Sequence, residues 1–232
     1  DGSLADWFGT LPSTDLTDTV SSGEWIWRDL SNDERTDGTD PDIQYDLTSF
    51  RITGDNSYIY FLAKFQDITD ATKPYISIAV DKDRTAVSGE LWLGGNSDNK
   101  VETNAAREYE IIINNNITGF YGVGSGQWTW TDTGSKSIST TNEVVEARIP
   151  WGGINVTLPY KLRFTVDIAE NNNVNGFTVD IGGGAFSNIV DAITKINNNT
   201  WSEVIDGVTD YYFDVGFNID GKVNTAPETP TI

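Results

Sequence analysis

Short runs of β-branched and aromatic residues follow one another along this chain, and no stretch shows a convincing apolar stripe of helical period. SFRITGDNSYIYFLAKF (49–65) holds two such runs around Gly54, Asp55 and Asn56, the pattern of a hairpin. PYISIAVD, REYEIIIN, EVVEARIP, YKLRFTVDIAE and DYYFDVGFN continue the series, punctuated by asparagine- and glycine-rich turns such as NNN at 114–116, NNNVNG at 171–176 and GGG at 182–184. NIVDAITKI at 188–196 is the one segment read as a short helix. Many strands at close spacing predict an all-β fold, a single antiparallel β-sandwich with jelly-roll or immunoglobulin-like layers and long acidic loops. One domain over residues 1–223 is expected, followed by a proline-containing linker, NTAPETPTI, at 224–232 that leads to a further module.

Composition narrows the chemistry. Hydrophobic residues make up 38% of the 232, enough for a real core. Cysteine and histidine are both absent, which removes disulfides, thiolate and imidazole metal ligands, a thiol nucleophile and the Ser-His-Asp arrangement. A formal net charge of −20 repels nucleic acid and anionic membrane surfaces, and no run is long and apolar enough for a membrane span. Neutral ligands and cations remain. The opening DGSLADW has no methionine or leader, so a mature or excised segment is expected. Sequons at Asn116, Asn155 and Asn198 fit an extracellular or cell-surface location.

The acidity is concentrated in WRDLSNDERTDGTDPD, residues 27–42, which gathers Asp29, Asp33, Glu34, Asp37, Asp40 and Asp42 around two arginines. Three readings compete: a calcium-binding loop, a solvated acidic face partly paired with Arg28 and Arg35, or the carboxylates of an enzyme. Calcium takes six to eight oxygen ligands. Carboxylates about 4 Å apart repel by roughly 4 kcal/mol at an effective dielectric near 20. Convergence therefore requires a cation, whereas splaying into water does not. The spacing is not that of an EF-hand, since the third position from Asp33 is Arg35. Asp81 and Asp83 in VDKDR fall on one side of a strand by alternation and form a second candidate pair.

Aromatic residues supply a ligand hypothesis. Trp128 and Trp130 in GQWTWTDTG alternate with threonine, so both indoles share one strand face. Indole faces suit the C–H-rich faces of sugar rings. Trp92, before the turn GGNSDN, and Trp25 in EWIWRD are further candidates. For all of them core packing competes with ligand contact. Glu108 and Glu110 in REYEI share a face, as glycosidase acids can, but the rest of such a pattern is missing and Arg107 can pair with either; no enzyme is expected.

The order of DGSLADW, DLTSFRITGDNSYIYFLAKFQDIT, PYISIAVDKDR, NEVVEARIPW and WSEVIDGVTDYYFDVGF, before the Pro-containing tail, resembles carbohydrate-binding sandwich modules of the DOMON-like and family-nine-like group. The chain is most similar to the C-terminal modules of glucodextranases, pullulanases and related cell-surface proteins of thermophiles. That resemblance implies a secreted, non-catalytic accessory module, often with structural calcium. Its expected partners are a polysaccharide or oligosaccharide, α-glucan by preference, and the neighbouring modules of a larger chain. The alternative is a structural spacer or a cell-wall or surface-layer attachment domain.

Overall fold

A computed structural model describes residues 1–34, 43–93, 99–115, 118–124, 127–131, 134–170, 189–196 and 207–224. Among these, the strands are β1 (Thr17–Ser21), β2 (Glu24–Arg28), β3 (Leu47–Gly54), β4 (Tyr58–Phe65), β5 (Pro74–Asp81), β6 (Lys100–Val101), β7 (Tyr109–Ile113), β8 (Thr118–Gly124), β9 (Gln127–Thr131), β10 (Ser135–Ser139), β11 (Val144–Pro150), β12 (Tyr160–Glu170), β13 (Ile189–Ala192), β14 (Val208–Thr209) and β15 (Phe213–Phe217). Two antiparallel sheets form the expected sandwich. The first runs β1-β2-β3-β4-β11-β10 and the second β13-β12-β5-β7-β8-β9, with β15 also paired to β12. The expected hairpin is present as β3 and β4, joined at the turn Gly54–Tyr58.

Alternation decides which residues meet between the sheets. Trp25, Trp27, Phe50, Ile52 and Phe61 of the first sheet face Ile78, Val80, Ile111, Phe164, Val166 and Phe213 of the second. Trp25 stacks on Phe213 at 3.8 Å between ring centroids, and Phe213 stacks in turn on Phe164 at 5.8 Å. Burying each of these rings removes roughly 150–250 Å² from water, so this layer dominates the hydrophobic contribution to stability.

Each outer sheet face has its own cover. Residues 1–9 lie over the first sheet, where the Glu24 carboxylate accepts the Phe8 and Gly9 backbone N–H groups and pairs with Arg51 at 3.0 Å. Glu146 accepts the Gly2 N–H and the Trp7 indole N–H, and Trp7 packs with Leu62 and Val144. The connection from β5 to β7 covers the second sheet and builds a small cluster of Ala79, Leu93 and Val101 with Leu91. A short parallel pair, β6 with β14, sits in that cover.

The short helix expected at 188–196 is absent from the part described: Ile189–Ala192 is strand β13, paired antiparallel with β12. Its apolar residues satisfy either period over so few positions, and backbone pairing with β12 decides in favour of the strand. One end of the sandwich is closed by Trp151, whose indole N–H donates to the Asp55 carbonyl at 2.7 Å. Gly221, at φ +83°, lies against that same carbonyl, and a Cβ there would overlap it. Gly221→Ala is expected to cost about 1–3 kcal/mol, read as a lower denaturant midpoint with an unchanged slope.

Candidate functional site

The connection between β2 and β3 leaves the first sheet through Asp29 and Asp33 and returns through Asp46. Asp33, Asp46 and Asp191 each bring a carboxylate oxygen within 4.8 Å of the others. Three points so spaced lie within about 2.8 Å of a common centre, a few tenths of an ångström beyond the Ca–O range. All three residues are 0% exposed. Asp191 arrives from β13 on the second sheet, so the cluster spans the gap between the sheets at the neck of the acidic loop.

Local backbone fixes each carboxylate. Asn32, in the left-handed region at φ +63°, turns its N–H onto Asp46 Oδ2 at 2.8 Å. Asp191 Oδ2 accepts the Leu47 N–H at 2.7 Å, and Oδ1 accepts its own neighbour Ala192 at 2.8 Å. Asp29 Oδ1 accepts the Leu30 N–H at 3.0 Å, leaving Oδ2 buried with no hydrogen-bond partner; the residue is 3% exposed. Asp46 Oδ1 is buried and unpartnered in the same way.

Burial and mutual repulsion raise the neck carboxyls. Burial, and then the Asp33 charge, push the Asp29 carboxyl well above its ordinary range, with Asp46 adding to the shift; the Leu30 N–H and the Trp27 indole offset it only in part. Asp191 is raised likewise, by burial and by Asp29, Asp33 and Asp46. Asp46 is pushed up to about 7, by burial first, with Glu34 and Asp33 adding to the shift against the Asn32 N–H. No lysine or arginine pairs with Asp29 or Asp46 among the described residues. Arg28, the nearest cation in sequence, instead reaches Asp15 at 2.5 Å.

Of the acids expected to bind metal, Asp29 and Asp33 meet at the neck, and Glu34, 7% exposed, is close enough to act on Asp46. Asp37, Asp40, Asp42 and Arg35 lie outside the described residues. Asp46 and Asp191 were not anticipated. One signal in the sequence does point to Asp191: a lone acid inside the apolar run IVDAI demands a buried partner.

Asp81 and Asp83 form a second group, joined by Glu108 rather than by the acidic loop. Each of these carboxylates has a donor on at least one oxygen, while Asp81 Oδ2 and Glu108 Oε1 are buried without a hydrogen bond, as Asp29 Oδ2 and Asp46 Oδ1 are at the neck. Asp81 accepts the Arg84 N–H at 2.5 Å and lies 3.7 Å from Arg163, Glu108 accepts the Lys82 N–H at 2.6 Å, and Asp83 holds Ser88 and Thr85. Burial pushes Asp81 up to about 7, Glu108 and Asp83 adding to the shift against the Arg84 N–H and Arg163. Glu110 faces Arg107, a fully buried pair at 3.0 Å, and accepts the Ser77 hydroxyl at 2.6 Å.

The aromatic candidates separate. Trp25 is 1% exposed, its ring stacked on Phe213 and its indole N–H donated to Asp18 at 3.0 Å. It is a core residue rather than a sugar platform, because burying its ring between the sheets stabilises more than exposing it. Trp92 is 44% exposed, with Lys100 Nζ 4.1 Å from its ring centroid. Its backbone carbonyl accepts from the Arg107 guanidinium, which anchors this rim to the buried Arg107–Glu110 pair. Trp130 and Trp128 pair with Tyr121 and Val123 of β8. On the neighbouring strands the Trp130 rank continues through Glu110, Ala79 and Thr165, and the core residues Ile111, Ile78 and Val166 belong to the next rank. Both tryptophans thus occupy ladder positions of the outer ranks of the second sheet. Their side chains lie outside what is described.

Fold and site together define an all-β sandwich whose two sheets share a buried carboxylate cluster. No protein-family model matches the chain, and no curated protein matches it.

Proposed function

We propose that this chain is a non-catalytic, extracellular carbohydrate-binding accessory module stabilised by structural calcium. The observation that carries the calcium part is the neck, where Asp29 and Asp46 each bury an oxygen with no donor beside two further carboxylates. Three buried carboxylates at this spacing, with the Asp29 charge acting on Asp191, are costly, and a hard divalent cation with oxygen ligands relieves that cost. Calcium titration calorimetry on the purified chain tests it. One saturable site, lost in Asp46→Asn, is expected; no heat up to millimolar calcium defeats the reading.

The carbohydrate part is supported by the outer-rank ladder positions of Trp128 and Trp130 and by the exposed, backbone-anchored Trp92. α-Glucan is the preferred ligand through the family resemblance. Affinity electrophoresis through soluble starch, with xylan and a cell-wall polysaccharide as parallel gels, is the direct test. Retardation by starch is expected, with Trp92→Ala weakening it about 10-fold, the loss of one stacking contact of about 1–1.5 kcal/mol.

The spacer or attachment reading is favoured by a different observation. Trp7, Trp25, Trp27 and Trp151 are all buried, which leaves Trp92 as the exposed tryptophan among those whose side chains are described. Unretarded migration in all three gels supports that alternative.

A further inference from the structure

We propose that Asn155, on the connection between β11 and β12, is the acceptor for an N-linked glycan. This rests on the extracellular part of the reading above and adds a covalent modification site to it. Asn155, Val156 and Thr157 form a sequon whose middle residue is not proline. Ile154 and Val156 are buried in the core between the sheets, whereas Asn155 and Thr157 are exposed. The buried pair anchors the segment. It thereby leaves on the solvent side both groups that a glycosyl transfer reads together, the Asn155 amide and the Thr157 hydroxyl. Asn155 makes its hydrogen bonds through its backbone, and neither side chain is engaged among the described residues. The sequons at Asn116 and Asn198 lie outside the described residues.

The backbone fixes where the acceptor stands. The Asn155 N–H donates to the Gly152 carbonyl at 3.3 Å, the Val156 N–H to the Trp151 carbonyl at 3.0 Å, and the Lys82 ammonium to the Asn155 carbonyl at 2.5 Å. Asn155 takes φ +52°, in the left-handed region that asparagine enters more readily than most residues. That conformation accounts for an asparagine or a glycine here, but it asks nothing of Thr157. Space beside the turn is open, since a Cβ added at Gly152 would meet nothing within 4 Å. Attachment is a substitution at the sugar. Asn155 Nδ2 bonds to C1 of an oligosaccharide carried on a polyisoprenyl pyrophosphate, the C1–O bond breaks, the lipid pyrophosphate leaves, and the amide gives up one proton.

The chain is secreted from yeast behind a cleavable leader, as wild type, Thr157→Ser and Thr157→Val. Trypsin releases residues 149–161, in which Asn155 is the one asparagine. Peptide N-glycosidase in heavy-oxygen water then converts each occupied asparagine to a labelled aspartate. The label is expected on most of the wild-type and Thr157→Ser peptide and is lost in Thr157→Val, which keeps the shape of threonine without its hydroxyl. Should Thr157→Val not be secreted, Asn155→Gly keeps the left-handed turn and is expected to lose one glycan by intact mass. An unlabelled wild-type peptide from secreted, cooperatively unfolding protein, or a label that survives Thr157→Val, overturns the proposal. Antibody labelling of intact source cells reads the extracellular location separately, and starch retardation of the same preparation reads the carbohydrate part, so a failed acceptor is told apart from a failure of either.

Discussion

Exhaustive chelation is expected to lower the melting temperature of this protein by about 8–16 °C, and restoring calcium to recover it. The magnitude follows from mass action: an ion present at about 1,000 times its dissociation constant stabilises the native state by about 4 kcal/mol. For a domain of this size each kcal/mol moves the midpoint by about 2–4 °C. The effect is expected at the neck because its carboxylates come from distant parts of the chain. Asp29 and Asp33 leave the first sheet, Asp46 returns to it, and Asp191 belongs to the second sheet while accepting a bond from Leu47, 144 residues away in sequence. Differential scanning calorimetry with calcium or with excess chelator measures this, and Asp191→Asn provides the control. In that variant the two curves draw together. A wild-type curve indifferent to chelator removes calcium from the account.

On the calcium proposal, the pH dependence of stability is expected to reverse sign when the ion is removed. Asp46 has its carboxyl raised from 3.8 to about 7, and Asp29 and Asp191 are raised in the same direction. A carboxyl that holds its proton more tightly in the folded state contributes stability that is fully present below its unfolded value, near pH 4. That contribution is lost as pH rises through the folded value. In chelator the protein is therefore expected to be more stable at pH 5 than at pH 7.5, with Asp46 alone worth on the order of 4 kcal/mol over the full window. Bound calcium requires the ionised carboxylates, so protonation then competes with the ion and stability rises with pH instead. Asp81, also pushed to about 7, adds a falling slope that calcium at the neck does not remove. The quantity to compare is accordingly the difference between calcium and chelator at each pH, from urea denaturation. That difference is expected to grow steadily from pH 5 to pH 7.5. A difference that is flat or shrinking over this range contradicts the assignment of the neck acids.

The two sheets and much of their core are legible in the chain itself. Alternation along PYISIAVD and YKLRFTVDIAE fixes which residues share a face, because a strand's side chains repeat every two residues whatever it packs against. The same local rule brings Trp128 and Trp130 into the same ladder face without saying whether that face is inner or outer. Excess negative charge after Trp27 is equally plain, and it directs attention to Asp29 and Asp33.

Tertiary structure alone decides the rest. The apolar run around Asp191 marks it as a buried acid but does not say what it meets; it reaches the neck only because β13 pairs with β12 and the two sheets stack. Asp46 joins because the pairing of β2 with β3 brings the two ends of the connection together, where the Asn32 N–H holds its carboxylate. Trp25 looks like a platform in EWIWRD and becomes core when Phe213, almost 190 positions later, covers its ring. Sequence fixes the period of each strand, a property of a few neighbouring bonds; the convergence of Asp33, Asp46 and Asp191 is a property of packing, which depends on contacts between residues that no local pattern links.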